Sequence, residues 1–391
     1  MKICIHDYGK YPFIQELAQK LANDCIKVDY LYNASFLSPN SNSIDEKKQN
    51  FQTIGISTKD KIDKYNFKKR FVQEVEYSKN FETYLNESKP DIVITANCPL
   101  FTVDQAYKWA QKNSKQFHFW VQDVWSVAVK ETLNKKFGIL GNLAAQYFIY
   151  LEKKLLKKSH SNIVISKDFI NLLNEWKITN TTHVLENWAP LKEIDPQNKE
   201  NTWSQKHQLD KSFNYIYTGT LGLKHNPQLL IDLAQSQIDS KVVVVSQGSG
   251  ADYLKDKKDE LNISNLKLLP FQDKNDYSKI LASSDVLVAV LEKEAGNFSV
   301  PSKILSYHCA QKPILASVPK TNLSYKILTN NKSGLGVDCE NNKEFLSQAK
   351  CLKGDEKLRN SLAENARKYA ELTFDIDLKV KKFIKILGIN I

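Results

Sequence analysis

Short, unbroken apolar runs, each followed by a segment of helical period, recur along this chain, and that alternation leaves few folds open. In the first half, MKICIHDY, CIKVDYLYN, PDIVITAN, FHFWVQD, NIVIS and TTHVLEN read as strands. FIQELAQKLAND, VDQAYKWAQKN and NLAAQYFIYLEKKLLKKS read as helices between them. Strands apolar on both faces belong to a parallel sheet covered by helices on both sides. After the polar stretch Ala189–Lys211, which holds two prolines, the series starts again with FNYIYTG, SKVVVVSQGSG, NLKLLPF, DVLVAVL and KPILASV. Single cores stop growing near ~250–300 residues, and this chain has 391. The expectation is an α/β protein with two doubly wound, Rossmann-like domains facing a central cleft. The first spans residues 1–188 and the second 189–373. The tail 374–391, with FDIDLKVKKFIKIL, reads as a helix returning to the first domain. Ligands of such sheets bind outside the carboxyl ends of the strands, so the loops there carry the chemistry.

The formal charge of +11 raises the question of nucleic acid, yet only Arg70, Arg359 and Arg367 among the 55 basic residues are arginines. Base readers depend on arginine forks, and no basic-and-aromatic recognition module is present, so no nucleic-acid partner is expected. The six cysteines are scattered without a CxxC pair, which fits neither a disulfide framework nor a zinc site. MKICIHDYG runs straight into a strand without the apolar region of a signal peptide. No apolar run approaches the roughly 18 residues of a membrane span. A cytoplasmic protein is expected.

Three loops stand out. In YTGTLGLKHNP, residues 217–227, Gly219 and Gly222 precede Lys224, and Asn226-Pro227 opens the helical run QLLIDLAQS. Glycines let backbone N–H groups approach a ligand, the helix adds its positive end, and Lys224 adds a charge. The set suits a phosphate; it also fits a plain strand-to-helix turn with an exposed lysine. The second loop is EKEAGNFSVPSKILSYHCAQKPILA, residues 292–316. Glu294 and Gly296 lie in the loop, Pro301 takes a first helical position, and Ser302 and Lys303 fill the first turn. Gln247-Gly248-Ser249-Gly250, after VVVVS, completes a glycine-lined rim. His225 beside Lys224 is a further candidate phosphate contact.

Taken with WVQDVW, VISKDF and VLENW in the first half and LLPF with DKNDYSKILASSD in the second, these motifs resemble retaining glycosyltransferases of the GT-B fold, family 4. Within it the chain is most similar to bacterial surface-polysaccharide enzymes of the fucosamine transferase-like group. The resemblance implies transfer of a sugar from a nucleotide-diphosphate donor, a UDP-sugar, to a lipid-linked saccharide in O-antigen or capsule assembly. It implies no cofactor. By the resemblance, Gly219, Lys224 and Lys303 hold the donor diphosphate, and Thr220, Gly248 and Ser302 belong to the same donor-binding set. Phe271 borders the base; Glu294, Gly296, Asn297, Phe298, Ser299 and Val300 border the donor sugar. Asp123 faces the anomeric carbon from the acceptor side, and Gly9 lets the acceptor approach. Asp123, Glu294, Lys224 and Lys303 are thus the catalytic candidates. The residues depart from the family at Ser306, where many relatives carry a second glutamate, and at the arginine those relatives place near Thr220, which is absent.

Two lysines, helix N-termini and glycine N–H groups can stabilise a leaving diphosphate without a metal, and none is expected. Asp375 and Asp377 in FDID copy an Asp-x-Asp metal motif but sit on a terminal helix without other hard ligands nearby. Asp123 equally suits the N-cap of the segment after it. Lysines flank a stripe of Phe137, Ile139, Leu140, Leu143, Tyr147, Phe148 and Leu151, and KYNFKKRF (64–71) adds charge. That pairing suits peripheral contact with an anionic inner-membrane surface, and equally an amphipathic helix packed on the sheet. The alternatives to a transferase are a non-hydrolysing sugar-nucleotide epimerase and a non-catalytic nucleotide-sugar-binding homologue, which Ser306 keeps open. A nicotinamide oxidoreductase would need Gly-x-Gly-x-x-Gly after the first strand, where HDYGKYPF has one glycine.

Overall fold

A computed structural model describes residues 1–36, 45–63, 66–222, 225–291, 293 and 302–389, apart from the side chains of residues 67, 128, 131, 132, 135–137 and 140. The chain divides into two compact units, Met1–Asn187 with Ile376–Ile391, and Trp188–Asp375.

The strands of the first unit are β1 (Lys2–Asp7), β2 (Lys27–Asn33), β3 (Lys47–Lys48), β4 (Phe51–Ile56), β5 (Ile92–Ala96), β6 (Gln116–Val121), β7 (Ser161–Val164) and β8 (Thr182–Val184). They form one sheet in the order β3-β4-β2-β1-β5-β6-β7-β8. The β3–β4 pair is antiparallel and the others run parallel. On β1, Ile3, Cys4 and Ile5 are all inaccessible, so both faces are covered. The helix Pro12–Leu21 shows why: Ile14, Leu17, Ala18 and Leu21 recur at helical spacing and are fully buried. Burying a leucine such as Leu17 contributes about 1.5–3 kcal/mol. The helix Ile376–Ile386 packs in the same way, its Phe383 ring 5.3 Å from that of Trp120 on β6. Lys379 of this helix donates to the Glu186 carbonyl at 2.9 Å, and burial lowers its ammonium to about 8.

The helical segment Trp125–Lys158 is two arms. Gly138 breaks it with φ 54° and ψ −128°, a conformation open to glycine alone. The Glu152 carboxylate accepts from the Trp125 N–H at 3.1 Å and the Ser126 N–H at 3.0 Å, 27 and 26 residues earlier. In a straight helix that separation would be ~40 Å, so the chain reverses at Gly138 and the arms form a hairpin.

The second unit holds β9 (Asn214–Thr218), β10 (Lys241–Val245), β11 (Leu266–Leu269), β12 (Val286–Val290), β13 (Ile314–Ser317) and β14 (Gly334–Val337). Its sheet is parallel throughout, ordered β11-β10-β9-β12-β13-β14. That is the order of a doubly wound sheet. Its core gathers Tyr215, Tyr217, Leu229, Leu233, Val244, Val288 and Phe345. The polar stretch after residue 188 has structure of its own. Asn201 caps the helix Thr202–Lys206 by accepting from the Trp203 and Ser204 N–H groups, and Trp203 is buried. Lys199 pairs with Asp285 at 2.6 Å.

Candidate functional site

In the second unit β9 and β12 are neighbours, and the chain leaves them in opposite directions, toward β10 and toward β13. The crevice beyond such carboxyl ends is where ligands of doubly wound sheets bind. Gly219 follows β9 at once, with φ 104°, and a Cβ there would stand 3.4 Å from Cε of Lys303. Lys303 comes from the helix Ser302–Cys309; its Nζ lies 3.8 Å from the centroid of the Tyr217 ring and donates to the Tyr217 hydroxyl. That hydroxyl donates in turn to the Thr220 carbonyl at 3.0 Å. So Lys303, far along the chain, meets the segment of Gly219 and Thr220 around the Tyr217 ring. Ser302 is exposed at the start of the same helix, and Phe271 lies partly buried beyond β11 on the same edge of the sheet. Lys224, Glu294, Gly296, Asn297, Phe298, Ser299 and Val300 lie outside the described residues.

Backbone packing accounts for two rim glycines. Gly250 donates its N–H to the Leu221 carbonyl at 2.9 Å, and a Cβ on it would come within 2.8 Å of that oxygen. Gly248, with φ 114°, would place a Cβ 3.0 Å from the same oxygen. The loop after β10 thus lies against the loop after β9. His225 Nδ1 accepts the Gly222 N–H at 2.9 Å, so that nitrogen serves the turn rather than a phosphate.

Hydroxyl groups that the sequence did not single out tie this crevice together. Tyr307 accepts the Thr218 N–H at 2.9 Å and lies 3.2 Å from the Thr218 hydroxyl. The Tyr277 phenol bonds with the side chains of Thr218 and Ser306, and burial raises its pKa. Ser306 is thus a member of a neutral hydroxyl network. No local pattern marks these tyrosines; only the adjacency of β9 and β12 to two separate helices brings them together.

In the first unit the corresponding edge is that of β1 and β5. Asp7 ends β1 fully buried, accepting from the Gly9 N–H at 3.3 Å, the Tyr30 hydroxyl at 2.8 Å and the Tyr11 N–H. Burial pushes its carboxyl up to about 7 against the pull of those donors. Gly9 is buried as well, and a Cβ on it would strike the Tyr11 ring at 2.5 Å. Packing explains this glycine, and Tyr11 covers the position. The Tyr11 phenol bonds with the Asn97 side chain beyond β5, and the charge of Asp123 beyond β6 helps to raise its pKa. Asp123 is partly buried. It does not cap the helix after it: Val124 holds the cap position without a side-chain bond, and Glu152 takes the first N–H groups. Gln122 accepts from Asn187 at 2.7 Å, joining the WVQD and VLEN loops.

Among the described residues no cluster of three or more His, Cys, Asp or Glu side chains is arranged to hold a metal ion. No described helix is long and apolar enough to cross a membrane.

Part of the second unit resembles a known family. Residues 199–369 match the family of glycosyl transferases group 1. No curated protein matches the chain. Among solved structures, sucrose-phosphate synthase from Thermosynechococcus elongatus aligns over 99% of this chain and 98% of its own, at 15% identity and a TM-score of 0.76. The Anabaena protein HepE in complex with UDP-glucose aligns over 99% of both chains, at 13% identity and a TM-score of 0.71. An E. coli trehalose-6-phosphate structure bound with UDP-2-fluoro glucose aligns over 100% of both, at 12% identity and a TM-score of 0.68. The fold is that of the GT-B glycosyltransferases, with two Rossmann-like α/β domains, and the family match with these neighbours supports a glycosyltransferase.

Proposed function

We propose that the chain is a retaining, family 4-type glycosyltransferase that moves a sugar from a UDP-sugar to a saccharide acceptor. The observation that carries this reading is the convergence of Gly219, Thr220 and Lys303 at the β9–β12 edge, inside the segment that matches glycosyl transferases group 1. The UDP-glucose in the HepE structure supports the choice of base.

Cleavage of a sugar–diphosphate bond builds negative charge on the leaving phosphate. Lys303 is held against Tyr217, so its ammonium is oriented before any ligand arrives, and a preorganised charge stabilises the transition state without reorganisation at the moment of reaction. Lys224 and the loop from Glu294 to Val300 complete the donor site in this reading. With the donor bound on one side of the departing phosphate, the acceptor enters on the same face, and the phosphate takes its proton. Asp123, whose charge is felt by the Tyr11 phenol, orients the acceptor or balances positive charge on the sugar ring.

The acceptor in this reading is lipid-linked, as in O-antigen or capsule assembly by fucosamine transferase-like enzymes. An exposed apolar stripe supports it: Ile139, Leu143, Tyr147 and Tyr150 follow helical spacing on the second hairpin arm. The rings of Tyr147, Phe148, Phe101 and Phe71 continue it at centroid spacings of 5.2–5.8 Å. Exposed Lys68, Lys69, Lys157 and Lys158 supply the charge that anionic headgroups attract.

The test is turnover with a panel of nucleotide sugars and a lipid-linked saccharide pool, with and without excess chelator. Transfer with retention that survives chelation is the expected result. Activity abolished by chelator and restored by magnesium would overturn the metal-independent part, and turnover of nicotinamide cofactor or sugar epimerisation would overturn the rest.

A further inference from the structure

The turn that bears Asp123 is held by a residue that the chemistry above leaves unused. Glu152 is 1% exposed, and its carboxylate accepts the two amide N–H groups at 3.1 and 3.0 Å that open the first hairpin arm, immediately past Val124. Burial pushes this carboxyl up to about 7; the nearby Asp123 charge adds to the rise, and the amide donors oppose it. A serine, aspartate or asparagine at position 124 would cap the same groups locally. The chain instead places a buried valine there and bridges to a carboxylate on the opposite arm.

The difference is mechanical. A local cap travels with its own turn wherever that turn moves. A cap from the second arm fixes the turn to that arm, and the arm is anchored by Leu151, Leu155 and Leu156, all buried. Trp125 and Glu152 stand almost equidistant from Gly138 along the chain, so the glycine reversal is what brings them level.

We propose that Glu152 is a positioning residue for the acceptor side: by clamping the amides of Trp125 and Ser126 across the hairpin, it sets where the Asp123 carboxylate stands. This inference rests on the reading of Asp123 as the acceptor-side carboxylate.

Glu152→Gln keeps the volume but turns one acceptor oxygen into an N–H₂ group that faces an amide. Amide hydrogen exchange of the segment 123–128 tests the clamp without reference to activity. Exchange there should quicken about tenfold or more, with β1 and β5 unchanged; equal protection would overturn the clamp. In turnover, kcat should fall roughly 10–100-fold while donor KM and UDP affinity hold. Adding Asp123→Asn to Glu152→Gln should cost little more, because the two act through one position. A loss confined to donor KM, or full additivity of the two substitutions, would overturn the positioning role. If Glu152→Gln does not fold, Glu152→Asp keeps the charge but falls short of both amides, and the same fall in kcat is expected; wild-type kcat in that variant would overturn the proposal. If the unsubstituted protein transfers no sugar, the functional reading fails and the exchange result alone decides the clamp.

Discussion

Lys303 is the residue on which the donor reading turns. Its place over Tyr217 means that Lys303→Ala removes an oriented charge without opening the core, since the side chain is only partly buried. Transition-state stabilisation should drop by about 2–4 kcal/mol, as for a lost oxyanion donor, with an unchanged melting temperature. Steady-state kinetics with the donor would show it, and a wild-type kcat/KM would remove Lys303 from the site. Asp123 makes the complementary case in the first unit. Asp123→Asn keeps the side-chain shape and removes the charge, so turnover should fall strongly while UDP affinity stays, because the proposed donor site belongs to residues of the other unit. Isothermal titration beside kinetics separates the two. An Asp123→Asn protein with full turnover and a lower melting temperature would make the residue structural. Gly9, expected on the acceptor side, packs so close to the Tyr11 ring that a Cβ would strike it, a contact no spacing rule announces.

At the scale of elements, the proposed acceptor residue stands before the hairpin Trp125–Lys158 of the first unit, and the proposed donor lysine on the helix Ser302–Cys309 of the second. The hairpin presents Ile139 at 84% and Leu143 at 66% exposure next to its reversal. Replacing both by serine should leave folding intact, since neither is in the core, and should reduce binding to anionic vesicles. Co-sedimentation with phosphatidylserine-containing vesicles measures it, and equal binding of variant and parent would end the case for that surface. The helix Ser302–Cys309 is tied down by His308, which is fully buried, with Nδ1 2.7 Å from the Ile304 carbonyl and Nε2 2.9 Å from Ser333 Oγ. Desolvation lowers its pKa from 6.5 to about 4. The folded state therefore keeps it neutral while the unfolded chain takes up a proton below 6.5, and its contribution to stability is present above that pH and lost on descent toward 4. Relative to His308→Gln, the parent protein should lose stability between pH 6.5 and 4.5. Urea unfolding across that range would show it, and a pH-independent difference would mean that His308 does not titrate there.

For the whole molecule, each unit has its own sheet and core, so ligands should act on the units unequally. A ligand of the native state at 100 times its Kd stabilises by about 2.7 kcal/mol. UDP should therefore raise the calorimetric transition of the second unit, and less so in Lys303→Ala. If UDP and UDP-sugars move no transition, the donor site is not where Gly219 and Lys303 place it. The match over residues 199–369 and the full-length alignments at 12–15% identity belong to this scale too: the doubly wound order persists where few side chains do, because it depends on apolar periodicity and not on particular residues.

That periodicity is why the α/β class and the two parallel sheets were legible from the sequence. Runs such as VVVV in β10 and VLVAV in β12 are buried on both faces, as strands of a sheet covered by helices on both sides are. The alternation also pointed to the loops after β9 and β12, because strand ends follow from strand positions. Two strands escaped: β4 mixes buried, half-buried and exposed residues, and β14 is the glycine-bearing GLGV, so neither shows a continuous apolar run. The first arm of the hairpin escaped as well, because its reversal at Gly138 is a backbone event and its cap comes from 27 residues away. Only the tertiary structure could decide that Lys303 lies on Tyr217, 86 residues earlier, that Ser306 pairs with Tyr277, and that Glu152 holds the Asp123 turn. Periodicity is a local property of the chain, whereas a hydrogen bond between distant side chains is set by which strands become neighbours.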